Sequence, residues 1–182
     1  MRKLKFGQRT GEIMQIAYVV DDLEAAAHRW MKRFNFGPWV ILDHFRADNM
    51  TYLGKPTDLD VSIALAYSGG MCFELIQKHN DVPSVYDDAA SSNGLGSFHH
   101  WAVATETFDD DVARFARDDR HVVFFGEVVA VGGLRFAYVD TRTDLNGMIE
   151  LIEIGPPVEE LFAGVRDRAD TWDRKTPFVR PG

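Results

Sequence analysis

A single cysteine, Cys72, occurs in 182 residues. No intrachain disulfide can form, and a cysteine-ligated zinc site is excluded. Long apolar runs are lacking too. No stretch approaches the roughly 18–20 apolar residues of a membrane span. The opening MRKLKFGQRTGE is basic but has no apolar core of the kind a secretory signal needs. Positive charge is scarce: 20 Lys and Arg stand against 28 Asp and Glu, for a net charge of −8. Such a surface does not displace counterions from a phosphate backbone, which argues against a nucleic-acid partner. An anionic small ligand stays possible, because a few arginines in a pocket outweigh the global balance. The expectation is a cytoplasmic protein with neither a membrane nor a nucleic-acid partner.

What is present suits a folded chain: 46% hydrophobic and 26% charged residues. The length fits one compact domain or two small modules packed together. IMQIAYVV (13–20) is β-branched and aromatic and reads as a buried strand. Asp21 and Asp22 can cap the helix predicted over LEAAAHRWMKRF, whose Leu23, Ala26, Ala27, Trp30 and Phe34 share a face. WVILDHFRA, DVSIALAY and MCFELIQ read as three further strands, with DNMTYLGKPTD as a loop. The polar segment 79–97 reads as a linker or crossover. Then the order repeats: FHHWAVAT is a strand, FDDDVARFARD an amphipathic helix, and HVVFFGEVVAV, LRFAYVDT and MIELIE are strands. Gly132-Gly133 separates two of them, and Asn146-Gly147 is the strongest short hairpin signal.

The halves superimpose as sequences. At an offset of 85, Gln15 falls on His100, Ala17 on Ala102, Leu23 on Phe108 and Arg29 on Arg114. At an offset of 76, FELI (73–76) falls on IELI (149–152). An internal repeat governs the choice of fold. The expectation is an α+β protein of two tandem βαβββ modules forming a curved mixed sheet around a cavity. The first module spans 11–78, the linker 79–97, the second module 98–154, and a tail, with a short helix over about 157–172, spans 155–182.

Chemistry is concentrated in three strands. Side chains alternate across a strand, so His99 and His100 are expected on opposite faces. Glu74 and Glu150 each interrupt an apolar strand at matched places of the repeat. One such Glu ordinarily faces solvent from a half-exposed sheet. Two at equivalent positions make a buried, cation-compensated pair an equal contender, because an unpaired buried carboxylate costs several kcal/mol, to order of magnitude. His28, His44, His79 and His121 carry no chemistry on this reading. Tyr138, His44, Tyr52 and Trp101 are candidates to line a pocket, although each also suits a packed core.

The duplicated order, opened by GEIMQIAYVVDDLEAAAHRW and FHHWAVATETFDDDVARF and closed by FELIQ and IELIE, resembles the vicinal oxygen chelate, or glyoxalase-like, superfamily. The resemblance covers roughly 11–154. It implies that the first and last strands of each module supply one metal ligand each, which makes the ligands Gln15, Glu74, His100 and Glu150. His100 rather than His99 follows because it is the repeat partner of Gln15. This ligand set is similar to that of glyoxalase I, with methylmalonyl-CoA epimerase a near relative. It implies one divalent ion, with Zn, Ni, Co, Mn and Fe(II) all acceptable to one nitrogen and three oxygens.

The implied activity is that of a metal-dependent isomerase, epimerase or lyase. Such an enzyme removes a proton next to a carbonyl of a small substrate with vicinal oxygens, through an enolate-like intermediate. Glu150 and Glu74 are the candidate catalytic bases, with Glu150 preferred, and a homodimer is the expected assembly. Val19 stands where a glyoxalase I would place an arginine for glutathione, which argues against a glutathione adduct. Two alternatives remain open. An extradiol-type dioxygenase shares the fold but calls for a second His in place of Gln15. A non-catalytic binding protein of the same fold tends to lack the carboxylates.

Overall fold

The structure, a computed structural model, describes residues 1–89, 96–117, 120–129 and 132–181. Parts of the expected 79–97 linker, of the second helix and of the strand expected over 121–131 lie outside these residues, as does Gly182.

The first half runs β1 (Ile13–Val19), α1 (Leu23–Phe34), β2 (Trp39–Phe45), β3 (Asp48–Tyr52), β4 (Lys55–Pro56), β5 (Val61–Ser68) and β6 (Met71–Lys78). The second runs β7 (Ser97–Thr105), α2 (Phe108–Phe115), β8 (Val122–Val128), β9 (Leu134–Asp140), α3 (Arg142–Leu145) and β10 (Met148–Glu153). Then come α4 (Pro156–Asp170) and β11 (Phe178–Val179). Helix α1 starts where the aspartates indicate: the Asp22 carboxylate accepts from the Ala25 N–H at 2.9 Å. It stops at Asn35, in the left-handed conformation, whose N–H caps the Met31 carbonyl.

All strands join one curved, unclosed mixed sheet in the order β11-β2-β5-β6-β1-β7-β10-β9-β8-β3-β4. The halves meet where β1 pairs antiparallel with β7, so the two modules pair within one chain. Each half repeats the same pattern beside that seam, with β6 parallel to β1 and β10 parallel to β7. The extra length of the first half sits between β2 and β5. There the segment read as a loop forms the β3–β4 hairpin, which crosses to the far edge and pairs with β8. Asn146-Gly147 does not make a two-residue hairpin. The chain first turns through α3, and Asn146 caps that turn at φ 56°.

Helices α1 and α2 cover the convex face. Ala26 and Ala27 of α1 pack on Ala64, Ala66 and Leu75, and Phe108 of α2 packs on Val103, Ala137 and Leu151. The concave face holds two further apolar clusters. One gathers Ala17, Ile76, Phe124, Tyr138 and Met148 under Val85 and Tyr86 of the crossover segment. The other gathers Met14, Leu65, Cys72 and Ala102 under Val158, Phe162 and Val165 of α4. Helix α4 of the tail is therefore part of the core. Among the described residues no helix is long and apolar enough to cross a membrane.

Candidate metal centre

The seam between the halves is irregular in a way that shapes the site. The β1–β7 register slips twice, between Ile13 and Gln15 and between Ala17 and Tyr18, where His100 and Phe98 are the successive partners. Each slip is a β-bulge, which inserts one residue and resets the alternation. The bulged pairs are Met14-Gln15 and His99-His100, which occupy equivalent positions in the repeat. As a result His99 and His100 both turn toward the concave side, against the expectation of opposite faces. Phe98 and Trp101 instead stack on each other at 4.5 Å on the convex side, where Phe98 meets Tyr18. Trp101 thus does not line the cavity.

The bulges bring the candidate side chains together between the two concave clusters. Glu74, His100 and Glu150 each offer a ligand-type atom, all within 4.8 Å of one another, and all three residues are buried. His100 Nε2 lies 3.1 Å from Glu150 Oε2 and 3.5 Å from Glu74 Oε2. Gln15 Nε2 donates to Glu74 Oε2 at 2.8 Å. Two buried polar atoms of this group, Gln15 Oε1 and His100 Nε2, have no hydrogen-bond partner among the described residues. Buried polar atoms are seldom left unpaired, and an amide oxygen and an imidazole nitrogen are both metal-ligand types. Glu74, His100 and Glu150 meet at one point. With the Gln15 amide turned to present its oxygen in place of its nitrogen, they would make a set of one nitrogen and three oxygens, which fits a divalent cation of borderline hardness.

Burial sets the electrostatics. It pushes the Glu74 carboxyl well above its ordinary range, and neighbouring Glu150 pushes in the same direction. Burial also raises the Tyr138 hydroxyl, with Glu150 adding to the shift. His99 is driven down to about 3, first by burial and then by His100. Tyr86 and Tyr138 hydrogen-bond through their hydroxyls at 3.1 Å, and the Tyr138 ring meets the His100 ring edge-on at 4.9 Å. Sequence reasoning passed over both Tyr86 and His99, the first because the 79–97 segment looked like a linker. Its one signal was the apolar trio Val82, Val85 and Tyr86 inside polar surroundings.

The raised Glu74 has a signed consequence for stability. A carboxyl whose folded pKa exceeds its unfolded value favours folding below the unfolded value, near 4.5, and that contribution is lost as pH rises through the folded pKa. Glu74→Gln keeps the shape and removes the titration. In the presence of chelator, the variant is expected to gain stability relative to wild type as pH climbs from about 4.5, levelling once the folded pKa is passed. Urea unfolding of both proteins from pH 4.5 to 8.5 measures the gap. A gap that stays constant or narrows would contradict the burial argument.

A cavity of about 750 Å³ opens beside the cluster. Phe45, Met50, Phe124, Phe136, Leu161 and Phe162 make its walls chiefly apolar, and Gln15, Glu74, Tyr138 and Glu150 supply polar groups. His44 stands at its rim with Nδ1 2.9 Å from Asp60, while Tyr52 packs in the concave cluster behind it. His79 is outside this cavity and pairs with Ser62 at 2.7 Å.

Paired βαβββ modules, joined edge to edge into one curved, unclosed mixed sheet, define the glyoxalase-like class of fold. The chain belongs to the glyoxalase/bleomycin resistance protein/dioxygenase superfamily, whose family model matches residues 14–138. No curated protein matches the chain significantly. Solved structures do. A methylmalonyl-CoA epimerase is 17% identical, with 82% of this chain and 99% of that one covered at a TM-score of 0.50. The methylmalonyl-CoA epimerase from Mycobacterium tuberculosis is 13% identical, with 83% and 93% covered at 0.53. A hypothetical protein from Bacillus halodurans is 13% identical, with 79% and 94% covered at 0.52. At these identities the likeness is one of fold.

Proposed function

We propose that the protein is a metal-dependent isomerase, most simply an epimerase, or a lyase, acting on a small substrate with vicinal oxygens. The observation that carries this reading is the meeting of Glu74, His100 and Glu150 at one buried point beside an apolar cavity, with the Gln15 amide hydrogen-bonded to Glu74 next to them. These four residues would hold a divalent ion, which when bound supplies Lewis-acid stabilisation of negative charge on the substrate oxygens.

The chain's own groups do the proton work. Burial and the neighbouring Glu150 raise the proton affinity of the Glu74 carboxyl, which suits it to hand a proton to the substrate. Glu150, its repeat counterpart on the other side of His100 Nε2, accepts one. A donor and an acceptor related by the pseudo-twofold axis suit inversion at a carbon next to a carbonyl, because one face loses a proton while the other gains one. Two of the solved neighbours are methylmalonyl-CoA epimerases, which fits this reading. The aromatic and aliphatic walls exclude water and favour a substrate whose body is apolar. Arg46, exposed at the cavity mouth with no ion-pair partner among the described residues, suits an anionic group on it.

Metal analysis of the purified protein tests the reading. The expected result is about one divalent ion per chain, removed by chelator, with occupancy sharply reduced in Glu150→Gln. Wild-type protein that holds no stoichiometric ion and is indifferent to both chelator and added metal would sink it.

A further inference from the structure

His99 is buried, and both of its ring nitrogens are engaged. Nε2 lies 3.0 Å from the Val85 carbonyl oxygen, and Nδ1 lies 2.8 Å from Nδ1 of His100. A carbonyl oxygen only accepts, so His99 Nε2 carries the proton. In the neutral ring His99 Nδ1 is then an acceptor. The contact between the two Nδ1 atoms needs one proton, and that proton must belong to His100. With its Nδ1 protonated, neutral His100 has a bare lone pair on Nε2, the atom that faces Glu74 and Glu150 without a hydrogen-bond partner. The rings cannot swing away, since His99 is wedged against Tyr86 at 4.9 Å and Tyr138 at 5.6 Å.

We infer that His99 is a positioning residue: the chain Val85 C=O, His99, His100 fixes His100 in the Nδ1-protonated tautomer and aims its Nε2 lone pair into the centre. The β-bulge is what permits this, because a regular strand would place His99 on the convex face. The outward end of the chain is a backbone carbonyl of the crossover segment, so that connection, besides covering the cavity, orients a side chain within it. Outer partners that fix a histidine's tautomer ordinarily account for about ten- to a hundredfold in metal affinity. The inference rests on the reading of His100 as a ligand for its purpose, but its central statement concerns the metal-free protein.

Nitrogen-15 NMR of imidazole-labelled, metal-free wild type reads the tautomers directly. His100 is expected with protonated Nδ1 and bare Nε2, and His99 with the reverse. A His100 protonated on Nε2 overturns the proposal. Calorimetric titration with Zn²⁺ alone supplies the second readout. His99→Phe fills the space without an acceptor and is expected to weaken zinc binding by about ten- to a hundredfold. His99→Gln, whose amide can both accept from His100 and donate to Val85, is expected to restore most of the loss. Equal loss in the two variants would mean a merely structural role and overturn the proposal. If wild type binds no zinc, the functional reading fails on its own, and the NMR tautomers still decide the positioning of His100.

Discussion

His100→Ala is expected to lower the protein's affinity for Zn²⁺ by more than about 100-fold, beyond the ordinary effect of losing an outer partner. His100 supplies the one nitrogen of the cluster and stands 3.1 and 3.5 Å from the two carboxylates. Its loss leaves Glu74 and Glu150 facing each other across a cavity, and the carboxyl pair then relieves its repulsion by taking up protons, which compete with a cation. The control is His79→Ala. That imidazole pairs with Ser62 outside the apolar cavity, and its removal is expected to leave zinc binding unchanged. Calorimetry with the metal alone separates the two. Equal affinities for wild type and His100→Ala would remove His100 from the centre.

The comparison between these two histidines also shows how much of the site was legible in the chain. The family resemblance pointed to His100 over His99 as the repeat partner of Gln15. Glu74 and Glu150 stood out as lone carboxylates recurring at matched places of apolar strands, a pattern that by itself suited a solvent-facing pair as well as a buried one. Those signals are long-range and chemical, and they depend only on which residues are present. The strands and α1 were legible for the same reason: period-2 and period-3.6 patterns follow from backbone geometry.

The orientation of His99 was not legible, because alternation presumes an unbroken pleat and a bulge breaks it without any residue of special conformation. In hindsight FHHW carries a trace. Phe98 and Trp101, two large apolar residues three apart, share the convex face, a spacing that a regular strand forbids. Ile13 and Ile16 show the same spacing around the Met14-Gln15 bulge. The β3–β4 hairpin was hidden because DNMTYLGKPTD holds turn residues and few apolar ones. Its pairing is with β8, about 70 residues further on, where no local pattern reaches. Tyr86 was hidden for a related reason: its partners Tyr138 and His99 belong to the other half of the repeat.

The tail is the other place where tertiary contacts override local appearance, and it carries the largest expected effect on stability. Phe162 of α4 is buried, meets Phe6 at 5.3 Å and helps wall the cavity. Its helix begins cleanly, with Gly155 at the N-cap and Pro156 in the first turn, where a missing N–H costs nothing. Yet the helix is held by what it covers: Val158, Phe162 and Val165 close one end of the concave sheet over Met14, Leu65 and Ala102. Phe162→Ala removes a ring from that contact and is expected to cost about 3–5 kcal/mol, or roughly 6–20 °C in melting temperature for a chain of this size.

Leu161, a partly exposed neighbour on the same cavity, should cost distinctly less when truncated, because part of its surface is already in water. Thermal unfolding in chelator measures both. If Phe162→Ala melts within a degree or two of wild type, α4 is not part of the core. The candidate metal centre would then lack the apolar wall that Phe162 gives the cavity beside Glu74, and the raised proton affinity of that carboxyl, on which the proposed chemistry depends, would lose part of its physical cause.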